Sequence, residues 1–136
     1  MKIKKEYTFT NNRIIWRLLP TQMKKLVIEE RNTEKKEAYF NCLDIRSGKK
    51  IFADLQLDEK FWVGIESIYK DIIFFHKFAK PDMPGHQGIF AFDIISQNII
   101  WKNEDLTFLF NIGNSVYAYS QRFEGKIFYK LDFQTG

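Results

Sequence analysis

The sequence predicts an all-β fold of about three four-stranded antiparallel blades, forming a partial β-propeller. Short runs rich in Ile, Val, Phe and Tyr alternate with Gly, Asn and Asp turn residues. A turn followed by a short strand that ends in an aromatic residue occurs at residues 11–16, 47–52 and 96–101. The runs 72–75 and 89–92 are apolar at every position, which is expected of strands in sheets covered on both faces.

Further strands complete each predicted blade. Apolar strands that end in Asp precede two of the turns, at residues 39–45 and 89–94, and another copy at 127–136 stops at its turn. Residues 62–75 also parallel residues 108–119, each with two strands joined by turn residues. Four strands in about 40–50 residues are the period of one propeller blade. The predicted blades cover approximately residues 5–55, 58–104 and 105–136.

Length and composition predict one folded domain over residues 1–136. Apolar residues make up 45% of the chain and aromatic residues 17%, which excludes a disordered segment. Cys42 is the only cysteine, so an internal disulfide and a cysteine-based zinc site are excluded. The charged start of the chain has no signal-peptide pattern, and no apolar run reaches the ~20 residues of a membrane span. We therefore expect a cytoplasmic protein.

Residues 58–75 also fit a helix, because Asp58 could cap one and Phe61, Ile65 and Ile68 follow at helical spacing. Gly64, the β-branched residues and the match to residues 108–119 favour strands.

Three blades are too few to close the usual ring of four to eight, and the last blade lacks its outer strand. Open strand edges pair readily with other chains. The chain is therefore expected either to be part of a longer propeller or to bind a protein partner or a second copy at these edges.

The hairpin pattern at residues 38–52, 87–101 and 127–136 resembles the repeat of quinoprotein-type (PQQ-like) propellers. That resemblance implies the propeller architecture. It does not imply a quinone-binding site, so no cofactor is predicted. Residues 78–88 and the strand that follows them resemble a family of uncharacterised bacterial proteins, which implies no activity.

The long segment 77–88 is predicted to be a loop. It contains or adjoins the only group of residues in the sequence that suggests a metal-binding or catalytic site. Two imidazoles and one carboxylate could hold a metal ion with a position open for water, as in metal-assisted hydrolysis. The candidate ligands are His76, Asp82 and His86. A solvated rim loop without a metal is the alternative. As a binding loop, the segment would use Lys77, Lys80, Pro81, Asp82 and His86.

Other reactive or aromatic residues are predicted to be structural. Cys42 lies within a strand and has no activating base nearby in the sequence. The turn aspartates are expected to accept hydrogen bonds from turn amides, and the tryptophans are expected to pack in the core. These residues are Asp44, Asp93, Asp132, Trp16, Trp62 and Trp101.

The net charge of +4 is unevenly distributed, since residues 1–50 contain 13 Lys or Arg and 6 Asp or Glu. Basic side chains beside aromatic ones could bind single-stranded nucleic acid. The residues that could form this face are Tyr7, Arg13, Trp16, Arg17 and Lys24. Because the lysines occur mainly as pairs at strand ends, solvated turns are the favoured interpretation.

These observations favour an interaction or binding scaffold without catalysis. A metal-dependent hydrolase and a nucleic-acid-binding protein are the two alternatives. No sequence pattern identifies a substrate, a partner or the oligomeric state.

Overall fold

The computed structural model describes residues 2–80 and 83–136, in which it contains eleven β-strands and no helix. The predicted all-β class is confirmed. The strands are β1 Ile14–Pro20, β2 Lys25–Asn32, β3 Glu37–Asp44, β4 Lys50–Leu55, β5 Gly64–Tyr69, β6 Ile72–Lys80, β7 Met83–Asp93, β8 Asn98–Asn103, β9 Thr107–Ile112, β10 Ser115–Arg122 and β11 Gly125–Asp132. No helix in the described part of the chain is long and apolar enough to cross a membrane.

The strands form three antiparallel sheets in two compact units. Residues 1–60 contain the sheet β1-β2-β3-β4, and residues 61–136 contain the sheets β5-β6-β7-β8 and β11-β10-β9. Each predicted blade range contains one of these sheets. The propeller arrangement and the single domain stay predictions.

Residues 64–80 form β5 and β6, so the strand interpretation is confirmed over these residues and the helix alternative is wrong there. Lys70 takes a positive φ of 53° in the turn between the two strands. This tight turn allows Tyr69 to pair directly with Ile72.

In residues 1–60, two consecutive glutamates of β2 are fully buried, although successive side chains of a strand point to opposite faces. Glu29 forms ion pairs with Arg17 and Arg31, at 3.2 and 3.6 Å. Glu30 accepts hydrogen bonds from Arg13 and from two asparagine amides, those of Asn11 and Asn41. Buried carboxylates are tolerated when they are paired in this way. Both faces of β2 therefore depend on arginines for their stability.

In residues 61–136, one apolar core lies between the sheet β5–β8 and the sheet β9–β11. Phe74 is fully buried there, and its ring lies 5.9 Å from Phe108 and 6.2 Å from Trp101. Trp101 also donates a hydrogen bond from Nε1 to the carbonyl of Phe133. The other buried members are Ile72, Ile89, Ala91, Leu106, Val116, Ala118 and Phe133. Because both sheets contribute side chains to this core, a substitution that disrupts the core should destabilise both sheets.

Three turns share one hydrogen-bond pattern, each beginning at an aspartate that ends the third strand of its sheet. Asp44, Asp93 and Asp132 each accept hydrogen bonds from the amides two and three positions later. The amide four positions later donates to the aspartate's own carbonyl at 2.8–2.9 Å in each turn. The prediction that these aspartates are structural is confirmed.

The hydrogen bonds of the Asp44 turn predict a pH-dependent contribution to stability. The backbone amide of Ser47, followed by its hydroxyl, lowers the pKa of Asp44. A carboxylate whose pKa is lowered by folding stabilises the protein above its unfolded pKa of about 3.9, and this contribution is lost as the pH falls through the folded pKa. We expect Asp44→Asn to melt at a lower temperature than the wild type at pH 7, with the difference narrowing below about pH 4.

Circular dichroism melts at pH 7 and pH 3 measure this difference. Asp58→Asn, at an exposed position of the same unit, is the control for loss of one negative charge. Equal melting temperatures of Asp44→Asn and Asp58→Asn at pH 7 would contradict the prediction.

Candidate metal centre

Residues 77–80 and 83–88 lie in two paired strands, so the predicted loop over residues 77–88 is wrong at these positions. Strand β6 runs to Lys80 and β7 starts at Met83, and Phe78 pairs with His86. The pairing of β5 with β6 stops at His76, and that of β8 with β7 stops at Ile89. Beyond these points the described residues of β6 and β7 pair as strands only with each other, and proline and glycine are tolerated in strands that have a partner on one side alone. Their presence therefore did not mark a loop.

His76 and His86 meet where the two-stranded part of the hairpin begins. Since His86 pairs with Phe78, two residues after His76, the two imidazoles are diagonal neighbours on one face. Their ring centroids lie 3.6 Å apart with an interplanar angle of 9°. The Phe78 ring lies 5.7 Å from each of them. The sequence does not determine whether the two histidines meet, and in the structure their rings lie together.

Glu66 of β5 is the third polar side chain at this place. Its Oε1 lies 2.7 Å from Nδ1 of His86. The β5–β6 register shifts between Ile65 and Ser67, so Glu66 is at a bulge. A β-bulge bends a strand and changes the direction of a side chain, and bulges are frequent beside functional sites.

A second register shift occurs on the other side of His76. Phe75 pairs with Phe90, and Lys77 pairs with Gln87. Between these two pairs, β6 has one residue, His76, and β7 has two, Gly88 and Ile89. Gly88 has a φ of +82°, as in bulges that place glycine in the left-handed region. Two irregularities therefore border the buried histidine.

Gly64 makes room for the His76 ring. A Cβ atom at position 64 would lie 2.6 Å from Nε2 of His76, closer than real contacts allow. Nδ1 of His76 lies 3.4 Å from the carbonyl oxygen of Lys77. Because His76 is only 5% exposed, its ring has little space to move away. Its position is thus fixed by the backbone around it.

Glu66, His76 and His86 each offer one ligand atom, and these atoms all lie within 4.8 Å of one another. Imidazole nitrogens and a carboxylate oxygen are ligands that zinc accepts. Asp82, the carboxylate predicted from the sequence, lies outside the described residues, as does Pro81. Sequence reasoning missed Glu66, because its approach depends on the bulge in β5.

The remaining residues of the predicted binding loop lie on the hairpin strands. Lys77 and Lys80 belong to β6. Nζ of Lys77 forms an ion pair with Glu104 at 3.2 Å, and the hydrogen bond from Lys77 lowers the pKa of Glu104. The charge of Lys77 is therefore paired with a carboxylate of the protein itself.

The other candidate residues are also engaged in the fold. Cys42 is fully buried in β3. Arg13 and Arg17 of the predicted basic face pair with the buried glutamates Glu30 and Glu29. Trp16 is 59% exposed, so the prediction that it packs in the core is wrong.

Comparison with known proteins identifies a family for this chain, but it identifies no activity. No curated protein and no solved structure matches the chain. Residues 19–101 match the model of a family described as a domain of unknown function, DUF4905. This range contains most of the first sheet and the second sheet as far as β8, including all three residues of the candidate centre. The chain belongs to the DUF4905 family.

Proposed function

We propose that this chain is a non-catalytic, cytoplasmic protein-binding scaffold that binds another chain at the edge strand β11. The edge position of β11 among the strands of the described residues is the observation that carries the proposal. The sheet β11-β10-β9 has three strands, whereas the other two sheets have four, and β11 is at its edge. Edge strands present unpaired backbone groups that can pair with a strand of another protein. The reducing environment of the cytoplasm suits a chain that contains a single cysteine.

Apolar exposure along this edge supports a protein partner. Ile127 is 46% exposed and Phe128 is 67% exposed. Such side chains on an edge strand normally need protection by charge, proline or a covering element. Tyr129 and Leu131, further along the strand, pack partly against the core. Because successive side chains of a strand point to opposite faces, an added strand would cover Ile127 on the face of Tyr129 and Leu131 and Phe128 on the other face.

The charges of β11 fit a second copy of the same strand. If two copies pair antiparallel with Tyr129 opposite Tyr129, Lys126 lies opposite Asp132 and Ile127 lies opposite Leu131. Opposite charges and apolar pairs directly across a strand pair are stabilising. Each favourable pair occurs twice because a two-fold interface repeats its contacts. A second copy is therefore the partner to which the proposal commits.

Light scattering over about a tenfold range of concentration tests the proposal, because association follows mass action. We expect the mass to rise towards that of a dimer with increasing concentration. Ile127→Lys is expected to keep the chain monomeric, since a lysine on an edge strand opposes strand pairing. Amide hydrogen exchange of β11 should slow in the dimer and not in the variant.

Phe123→Lys is the matched control, because Phe123 is fully exposed and lies outside the strands. This variant should associate like the wild type. A wild-type chain that stays monomeric throughout the range, or an Ile127→Lys variant that still forms dimers, would contradict the proposal.

A further inference from the structure

We propose that Glu66, His76 and His86 form a binding site for one divalent transition-metal ion of the zinc type. The site is independent of the β11 edge and would join three adjacent strands, β5, β6 and β7. The proposal depends on the convergence of these three side chains on one face and on the chemistry of their donor atoms.

The donor set selects the class of metal. Two imidazole nitrogens and one carboxylate are the protein ligands of many zinc sites that keep a fourth position for water. Imidazole also suits copper and nickel, whereas calcium and magnesium prefer oxygen ligands only. The side chain of His86 is 43% exposed, so solvent can reach the centre. Zn²⁺ is therefore the ion that we expect.

The ligand atoms must come closer together to bind one ion. Zinc bonds of about 2.0–2.2 Å require ligand atoms closer together than the present 4.8 Å limit. His76 is buried between Gly64 and the Gly88 bulge, which makes it the fixed ligand. His86 and Glu66 have side chains that are 43% and 14% exposed, and rotation of these two would close the site. The imidazole of His86 must also tilt relative to that of His76, because the in-plane lone pairs of the two rings do not meet while the rings are stacked.

The surroundings of His76 favour one ligand atom. A histidine that binds a metal usually gives the proton of its other ring nitrogen to a carbonyl or a carboxylate. The carbonyl of Lys77 lies 3.4 Å from Nδ1 of His76 and is suited to this role. Nε2, the ring nitrogen beside Gly64, would then be the ligand atom.

The rival explanation is a hydrogen-bonded ion pair of Glu66 and His86 with no metal, since these side chains are 2.7 Å apart. The two explanations predict different results for Zn²⁺ binding. If these residues form only an ion pair, the chain should not bind Zn²⁺ stoichiometrically. If they form a metal site, each chain should bind one Zn²⁺ ion.

Titration calorimetry with Zn²⁺ on the tag-free, chelator-treated full chain distinguishes them. We expect one ion per chain, and we expect the imidazole NMR signals of both histidines to shift, which is readily resolved because the chain has only two. His86→Asn and Glu66→Gln should each weaken binding at least about tenfold. Both side chains are partly exposed, so these variants are expected to fold, which circular dichroism verifies.

Glu104→Gln is the matched control for loss of a carboxylate that contacts the same hairpin, because Glu104 follows β8 and pairs with Lys77 of β6 and not with a histidine. It should bind Zn²⁺ like the wild type. The absence of stoichiometric binding by the wild type, or equal affinity in Glu66→Gln and Glu104→Gln, would overturn the proposal and leave the ion pair as the role of these residues.

Discussion

Arg13→Met is expected to lower the free energy of unfolding of the unit formed by residues 1–60 by about 3 kcal/mol, because it removes a charged partner of a buried carboxylate. Glu30 is fully buried, and Arg13 is its only ion-pair partner among the described residues. The amides of Asn11 and Asn41 remain as donors to Glu30, so the loss should be at the lower end of the 3–5 kcal/mol range for a broken buried pair. Arg13 also forms an ion pair with Asp54, which is more exposed. Hydrogen exchange at the amides of β2 and β3 in the full chain measures the loss.

A second substitution separates the charge from the packing. Glu30→Gln added to Arg13→Met removes the uncompensated charge and should restore part of the lost stability. Arg46→Met, at an exposed turn of the same unit, should change stability by less than about 0.5 kcal/mol. If Arg13→Met is no more destabilising than Arg46→Met, the buried carboxylate does not depend on this arginine.

Most of the strand arrangement was predictable because its signals are local. A tight turn needs Asp, Asn or Gly at fixed positions, and the three aspartate turns can be identified from the sequence for that reason. The burial of Glu29 and Glu30 was not predictable in the same way. Two consecutive charged residues normally indicate that at least one is exposed. The register with β1 places Arg17 opposite Glu29, and Glu30 pairs with Arg13, which precedes β1.

The candidate centre was predictable in part. The two histidines were considered together because they are near in sequence and flank a region of turn residues, but whether they meet could not be predicted. The third ligand was not predictable, since the approach of Glu66 depends on a bulge that follows from strand register and not from residue type. The prolines and glycines between the histidines indicated a loop, because the sequence does not show that a hairpin continues past the edge strands of its sheet.

Phe74→Ala is expected to lower the free energy of unfolding of residues 61–136 by about 3–5 kcal/mol, the range for removing a fully buried phenylalanine. Its ring contacts the aromatic rings of Trp101 and Phe108, which belong to different sheets. The cavity would therefore remove contacts within one sheet and between the two sheets. We expect the amides of β6 and of β10 to lose protection from hydrogen exchange together.

Phe123→Ala is the control for loss of a phenylalanine without loss of packing, since Phe123 is fully exposed, and it should change stability by less than about 0.5 kcal/mol. Phe74→Leu keeps most of the apolar volume and should be less destabilising than Phe74→Ala. Loss of protection in β6 with unchanged protection in β10 would contradict a shared core. In that case the sheet β9–β11 would be stable without the sheet β5–β8, and the two would unfold as separate cooperative units.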